Sequence, residues 1–364
     1  MQTEKKIYIG LGILVLLGGM IYWRSTTPKD SAARSDTSAS VSARPDFKIP
    51  GETAENVTKL VIKEKDKPEV VLEKRGEDWW VTKPLEAKAS LSNVKSTIDN
   101  LKTIETKDSI NDTPEAPAMY GDYELEGEKA IQVLAYVGEA GSEKVFDAYF
   151  GKTGSRGQMA RLADKPGIWV VKGFSSYQYS RQIKDWREKS ILKFEDQNVV
   201  SVSIENEDGK YSFSKNGDEW SGTRNKQKIA RLDPEKIKDM LRAYKGLNAE
   251  DFADELKDKP DETGVGPKPS SVITIVLKDD AGTLRIVFGN TSSGSSRYAK
   301  KDGDENLFVI GSWAADWATA KVEKFQKPEG KEDDSDMRPP PGMPPMGMPG
   351  MMPMDHDDHD GHFH

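Results

Sequence analysis

The sequence Asn-Val-Thr-Lys-Leu-Val-Ile at residues 56–62 recurs, with substitutions, as Asn-Val-Val-Ser-Val-Ser-Ile at residues 198–204. Both stretches alternate apolar and polar side chains, the period of two that predicts a half-buried β-strand. Further along, Gly-Glu-Asp-Trp at residues 76–79 matches Gly-Asp-Glu-Trp at residues 217–220. Matches that keep their order over a long stretch indicate that the body of the chain is a duplicated unit.

An amphipathic helix is predicted at the same place in each copy. In the second copy Asp233 is a good N-cap residue and Pro234 occupies the first helical position. In the first copy Ser90 precedes the helical pattern. Apolar residues recur at helical spacing in both copies: Leu91, Val94, Ile98, Leu101 and Ile104 in the first, and Ile237, Met240, Leu241, Tyr244 and Leu247 in the second.

Further strands and turns also recur, which predicts an α+β fold. Residues 131–136 match 272–277, Phe-Gly-Lys-Thr at 150–153 matches Phe-Gly-Asn-Thr at 288–291, and residues 168–171 match 307–310. The predicted elements are hairpins followed by helices, so we expect two tandem copies of a mostly antiparallel sheet with helices on one face. The first copy is expected at residues 51–195 and the second at 196–327.

The N-terminus predicts a membrane anchor. Residues 7–23 carry no charge and lie between Lys5–Lys6 and Arg24. Seventeen helical residues rise about 26 Å, close to the thickness of a hydrocarbon core. We expect a cytoplasmic stub at residues 1–6, a transmembrane helix at 7–23 and a flexible tether at 24–50. In a bacterium this places the body in the periplasm, on the inner membrane; the alternative is a cleaved signal peptide.

Composition excludes several kinds of chemistry. The chain has no cysteine, and its four histidines all lie within the last nine residues. The body therefore has no residues for a Ser-His-Asp triad, a cysteine nucleophile or a histidine metal site. A formal net charge of -8 without a clustered basic face argues against nucleic-acid binding. The 61 acidic residues leave a carboxylate-based envelope hydrolase as the remaining enzymatic alternative.

The C-terminal tail, residues 328–364, is rich in Met, Pro, Gly, His and Asp. Thioether sulfur suits Cu(I), whereas imidazole with carboxylate suits Cu(II), Ni or Zn. The candidate metal ligands are Met351, Met352, Met354, His356, His359, His362 and His364. The alternative is a disordered tail that binds no metal and makes weak protein contacts.

Two further motifs invite a functional hypothesis. Arg161 and Arg297 match in the alignment of the two copies, so each is a candidate contact for an anion or a partner carboxylate; the alternative is a strand arginine with a cross-strand acid. Phe-Gly-(Lys/Asn)-Thr is glycine-bearing, but no phosphate-loop pattern surrounds it, and we expect each glycine to mark a hairpin turn.

The motifs together resemble the DUF4340 family of membrane-anchored bacterial proteins. They are Trp-Val-Thr-Lys-Pro at residues 80–84, the amphipathic helix, Phe-Gly, and Trp-Arg-Glu-Lys-Ser-Ile-Leu at 186–192. Family members are similar to neighbours of gliding-type ABC transporter genes. The resemblance implies a non-catalytic accessory or scaffold role beside a membrane transporter, with integral-membrane partner proteins. It implies no catalytic residue and no cofactor.

Overall fold

The computed structural model of the chain describes residues 44–127, 129–278 and 282–328. The contacts divide the chain into two compact units, with the boundary between Glu188 and Lys189. The predicted transmembrane segment at residues 7–23 and the tail beyond residue 328 lie outside the described residues. Within the described ranges, every helix is too short or too polar to cross a bilayer.

Unit 1 is built on a nine-stranded sheet in which every pairing is antiparallel. The strands lie in the order β4-β3-β2-β1-β6-β7-β8-β9-β5. Their bounds are β1 Val57–Lys63, β2 Val70–Arg75, β3 Asp78–Lys83, β4 Ala87–Lys88, β5 Glu105–Asn111, β6 Ile131–Val137, β7 Glu143–Gly154, β8 Gly157–Leu162 and β9 Ile168–Lys172. The α-helices are α1 Gly51–Glu55, α2 Leu91–Leu101 and α3 Ile183–Trp186, with 3-10 helices at Ala116–Tyr123, Glu139–Gly141 and Ser176–Gln178.

Unit 2 repeats this sheet. Its strands lie in the order β14-β13-β12-β11-β17-β18-β19-β20-β16, and a separate two-stranded ladder joins β10 to β15. The bounds are β10 Ser190–Leu192, β11 Val199–Asn206, β12 Gly209–Asn216, β13 Glu219–Arg224, β14 Gln227–Lys228, β15 Leu247–Asn248, β16 Asp251–Phe252, β17 Ser271–Leu277, β18 Thr283–Ser293, β19 Ser296–Lys301 and β20 Phe308–Ile310. The α-helices are α4 Pro234–Tyr244, α5 Pro260–Thr263 and α6 Ser312–Ala318, with 3-10 helices at Asp196–Asn198, Asp254–Leu256 and Val322–Phe325.

The chain follows the same path in each unit. In unit 1 a meander, β1 to β4, runs to one edge, and the connection through α2 continues at the opposite edge in β5. Residues 112–127, here crossing segment 1, then begin the return toward β6 in the middle of the sheet. Residues 253–270, crossing segment 2, make the corresponding return from β16 to β17. The predicted antiparallel character and the order of the repeated strands are confirmed.

The main core of each unit lies between the sheet and its helices. In unit 1, Val94 and Leu101 of α2 pack with Tyr179 and Trp186 of residues 173–188, here the closing segment of unit 1. The Tyr179 hydroxyl donates to Oδ1 of Asn100 at 3.0 Å, which ties the closing segment to α2. Burial raises the pKa of the Tyr179 hydroxyl, so it stays a neutral donor.

Unit 2 has an equivalent tyrosine hydrogen bond, but here the tyrosine lies on the long helix and not on the closing segment. Tyr244 belongs to α4, and its hydroxyl donates to the carbonyl oxygen of Ala314 in α6 at 2.8 Å. Its pKa is also raised by burial. Tyr244 packs in the core with Ile237, Met240 and Leu241 of its own helix, as the helical spacing predicts.

The start of each long helix is held by the closing segment of its unit, which in unit 2 is residues 311–328. The Ser90 amide donates to the Trp186 carbonyl at 2.8 Å, and the Asp233 amide donates to the Phe325 carbonyl at 2.9 Å. The ending of the second copy, whose sequence matches the first only weakly, therefore makes the same contact. Asp233 also caps its helix as predicted, because its Oδ1 accepts from the Glu235 amide at 3.1 Å.

Three sequence predictions about the fold are wrong in detail. The predicted tether does not run to residue 50, because Phe47 and Ile49 are buried in the core of unit 1. The helical spacing predicts a buried Leu91, but Leu91 is the first residue of α2 and 56% exposed. The glycines of the Phe-Gly motif do not form hairpin turns. Gly151 lies inside β7 and Gly289 inside β18, each within a stretch of shifted register between the phenylalanine and the threonine of its motif.

These two glycines allow the crossing segments to touch the sheet. A Cβ on Gly151 would lie closer than 3.0 Å to the carbonyl oxygen of Tyr123, and one on Gly289 equally close to that of Thr263. The phenylalanine before each glycine, Phe150 or Phe288, is buried in the core on the other face. A glycine inside a strand is a known place for the close approach of another backbone, and the motif serves that purpose here.

The glycine contact predicts a large and selective loss of stability. Gly151→Ala and Gly289→Ala should each lower the free energy of unfolding by about 2 kcal/mol or more, because the added methyl forces the crossing segment off the sheet. Urea denaturation measures the change. Gly51→Ala is the control, since a Cβ there has no atom within 4 Å; it should leave stability unchanged or raise it by up to about 1 kcal/mol. Equal tolerance at all three sites would contradict the assignment.

The helix caps predict a difference between the two copies. Asp233→Ala removes a side-chain cap and should cost about 1 kcal/mol. Ser90→Ala should cost only a few tenths, because the Ser90 side chain makes no cap hydrogen bond. Thermal or urea unfolding of both variants measures this, and a Ser90 effect as large as that of Asp233 would show that the hydroxyl caps α2 after all.

Candidate interaction groove

The strand register identifies which residues of the two copies are equivalent. Tyr149 lies opposite Arg161, and Phe150 opposite Ala160. In unit 2, Val287 lies opposite Lys300, and Phe288 opposite Ala299. The counterpart of Arg161 is therefore Lys300. The prediction that Arg161 and Arg297 hold equivalent positions is wrong by three residues, because the register of paired strands, not residue identity, determines equivalence.

Arg161 makes internal contacts in unit 1. Its guanidinium carbon lies 3.5 Å from the ring centroid of Tyr149 and 4.6 Å from that of Tyr120. Its Nε donates to the carbonyl oxygen of Leu125 at 2.8 Å. Tyr120 and Leu125 belong to crossing segment 1, so the arginine fastens that segment to the sheet by stacking and by a charge-assisted hydrogen bond.

Arg297 instead makes a hydrogen bond to the glycine carbonyl of its unit, as Gln158 does in unit 1. Its Nη1 donates to the carbonyl oxygen of Gly289 at 2.9 Å, and Nε2 of Gln158 donates to that of Gly151 at 2.6 Å. Each side chain thus supports the backbone of the glycine on which a crossing segment rests. The next residue holds the segment itself: Lys152 donates from Nζ to the Asp122 carbonyl, and Asn290 donates from Nδ2 to the Glu262 carbonyl at 3.0 Å.

Unit 2 has an open groove at the place that Arg161 and its neighbours occupy in unit 1. Its volume is about 1150 Å³. Three of its lining residues are Val265, Val287 and Lys300, where unit 1 carries Leu125, Tyr149 and Arg161. Val287 lies between two core residues of β18, so it points to the face away from the main core. Smaller side chains at these positions leave the space open.

Apolar side chains and charges both line this groove. Val265, Pro267 and Pro269 of crossing segment 2 form one wall, with Val272 and Val287 on the sheet. Arg285 pairs with Asp302 at 2.9 Å, and Lys257 pairs with Glu305 at 3.3 Å. Glu205 is paired with Lys210, and Asp304 accepts two hydrogen bonds from Asn306.

Two cations of the groove remain available. Among the described residues, the ammonium groups of Lys300 and Lys301 have no ion-pair partner. A partly apolar groove with unpaired lysines suits a peptide segment that carries both apolar and acidic side chains. It is not the deep acidic cleft that a carboxylate-based hydrolase needs.

Two carboxyl groups of unit 1 have lowered pKa values, which favours their ionised form. A hydrogen bond from Arg156 lowers the pKa of Asp108, and one from Lys172 lowers that of Glu105. Both carboxyls lie on the exposed edge strand β5. A general acid needs the opposite shift, so these groups have the electrostatics of surface ion pairs.

The predicted metal ligands lie outside the described residues. This applies to Met351, Met352 and Met354 and to His356, His359, His362 and His364, so metal binding by the tail stays a prediction. Residues 44–127, 129–278 and 282–328 contain no cluster of three or more histidine, cysteine or acidic side chains placed to hold a metal ion.

A comparison with protein families identifies the family to which the chain belongs. The model of a family described as "Domain of unknown function (DUF4340)" matches residues 79–268, more than half of the 364 residues. The chain belongs to the DUF4340 family. The match begins in β3 of unit 1 and ends in crossing segment 2, so this DUF4340 protein shares with its family the whole of crossing segment 1 and most of crossing segment 2. No curated protein and no solved structure matches the chain.

The groove itself was not anticipated from the sequence. Its lining comes from four neighbouring strands and a crossing segment, which are distant along the chain. A signal was nevertheless present: Phe-Gly is preceded by Tyr149 in one copy and by Val287 in the other. The loss of a large aromatic residue beside a repeated motif marks the place where the copies differ.

The different roles of Arg161 and Lys300 predict different costs of removal. Arg161→Ala should lower the free energy of unfolding by about 2 kcal/mol, because it leaves the Leu125 carbonyl without its donor and removes the stacking on two tyrosines. Lys300→Ala should change it by less than about 0.5 kcal/mol. Urea denaturation of both variants tests this, and a Lys300 cost equal to that of Arg161 would contradict a groove that the lining side chains of unit 2 leave open.

Proposed function

We propose that this DUF4340 protein is a non-catalytic, membrane-anchored accessory or scaffold subunit of an ABC-type transporter complex. In this proposal, residues 7–23 are the membrane anchor. Lys5 and Lys6 keep the N-terminus in the cytoplasm, and the body lies in the periplasm of a bacterial cell. The link from the anchor to the body ends before Phe47, because Phe47 and Ile49 are already buried in the core of unit 1. The character of the uncharged span and the family resemblance support this arrangement.

The groove of unit 2 is the observation that carries the proposal. Unit 1 fills the equivalent place with Tyr120, Tyr149 and Arg161, whereas unit 2 leaves it open between crossing segment 2 and the sheet. In this duplicated fold, the outer face of the sheet is filled in unit 1 and open in unit 2. A scaffold protein with a single binding surface would have this arrangement. Its apolar wall and unpaired lysines suit a peptide segment of another subunit.

Crosslinking in native membranes tests the partner. A photoreactive crosslinker should join the protein to an ABC transporter subunit, and Lys300→Glu with Lys301→Glu should reduce the yield at least threefold, because the two substitutions make a groove lined by equal numbers of basic and acidic side chains strongly acidic. Lys226→Glu is the control, a charge reversal in the turn between β13 and β14. Equal recovery of the transporter subunit from all variants would exclude the groove as its binding surface, and no recovery from the wild type would exclude the transporter role.

Alkaline carbonate extraction tests the anchor separately. The full chain should remain in the membrane pellet, and a chain lacking residues 7–23 should be recovered in the soluble fraction. Recovery of the full chain in the soluble fraction would show that the segment is cleaved or does not span the bilayer.

A further inference from the structure

We propose that the groove of unit 2 binds the protein's own C-terminal tail, through its methionine- and proline-rich part at residues 337–354. This inference rests on the proposal that the groove binds a peptide segment, and it does not require the transporter. The tail would then occupy the surface that a partner subunit uses, and the partner would have to displace it.

Unit 1 shows what kind of segment fits this place. The 3-10 helix Ala116–Tyr123 reads Ala-Pro-Ala-Met-Tyr-Gly-Asp-Tyr, and its Met119, Tyr120 and Tyr123 pack against the outer face of the sheet beside Tyr149. The filling segment thus combines proline, methionine and glycine with aromatic rings. Methionine is unbranched and adapts to irregular apolar space.

The tail has the same composition. Residues 339–354 consist entirely of proline, glycine and methionine. The partly or fully exposed apolar side chains of the lining give the thioether side chains a surface to cover: Val265, Pro267, Pro269 and Val272.

Charge is complementary as well. Residues 329–364 contain nine Asp or Glu residues and two Lys or Arg residues, a formal charge of -7. The acids lie on both sides of the apolar part, at residues 329–336 and 355–360. Of the acids in the groove, Glu205, Asp302 and Glu305 are ion-paired, and Asp304 accepts two hydrogen bonds from Asn306. Lys300 and Lys301 are therefore the groups available to an acidic segment.

The tail is long enough to reach the groove from the last described residues. Lys327 is held beside α4, where its amide donates to the carbonyl of Arg231 at 2.8 Å. Five strand spacings separate β14 from β18, a distance of about 24 Å. Met348 is twenty residues beyond Pro328, which gives a reach of up to about 66 Å. The tail therefore reaches the groove without extending fully.

Photo-crosslinking of the full chain in membranes tests the inference. Benzoylphenylalanine at Val287 places the probe in the groove, and an aromatic residue is tolerated there because Tyr149 occupies the equivalent position. The same probe at Val200, an exposed valine of the same sheet, is the control. We expect crosslinks from position 287 to peptides within residues 337–364, at a yield at least tenfold above that from position 200. The yield should not change when the protein is diluted.

The other possible outcomes of this experiment contradict the inference, and each points to a different occupant of the groove or to none. A yield that falls on dilution assigns the groove to the tail of a second copy. Crosslinks from position 287 to a transporter subunit and none to the tail remove the inference and leave the proposed function standing. No crosslink from position 287 to any segment removes both.

Methionine oxidation gives a second measurement that does not depend on the probe. In the full chain, tail methionines should react with hydrogen peroxide at least three times faster in Lys300→Glu than in the wild type, because charge reversal releases the tail. Lys226→Glu should leave the rates unchanged. Equal rates in the wild type and in Lys300→Glu would contradict binding through the lysines of the groove.

Discussion

The fold of each unit depends on one contact between two backbones. A crossing segment must return the chain to the middle of its sheet, and it does so by resting directly on a strand at Gly151 or Gly289. Any side chain at that glycine would hold the segment away from the sheet. The surrounding hydrogen bonds serve this contact, since Gln158 or Arg297 supports the glycine carbonyl and Lys152 or Asn290 holds the end of the segment. The Phe-Gly motif is therefore a requirement of the topology.

The duplication provides an internal comparison. The two units share strand order, helix start and closing contact, so a difference between them at one place is informative. In unit 1 the outer face is filled by an arginine stacked on tyrosines. In unit 2 a valine and a lysine stand at the corresponding positions, and a groove of about 1150 Å³ remains. Both units keep a crossing segment on this surface, but only unit 1 fills the space beside the segment with its own side chains, which is why we propose the groove of unit 2 as a binding surface.

Much of the fold could be predicted from the sequence, because strands and helices impose periods of two and 3.6 on their side chains. The N-cap at Asp233 and the stripe on α4 follow from local rules alone. The glycine contact could not be predicted, since a glycine after an apolar strand looks the same whether it forms a turn or accepts another backbone. Arg161 was matched with Arg297 by identity, whereas the true counterpart, Lys300, is fixed by strand pairing that only the fold reveals. The groove needed the same knowledge, because its lining comes from residues distant in sequence.

The most direct test of this account is disulfide trapping, which the absence of native cysteine makes unambiguous. Directly opposed residues of antiparallel strands lie about 4.5–5.5 Å apart between Cα atoms, within the range a disulfide spans. Oxidation of the Val287→Cys, Lys300→Cys pair should form an intramolecular disulfide, as should the Tyr149→Cys, Arg161→Cys pair in unit 1. The Val287→Cys, Arg297→Cys pair should remain reduced. Trapping of 287 with 297 and not with 300 would make Arg297 the counterpart of Arg161 and would contradict the groove.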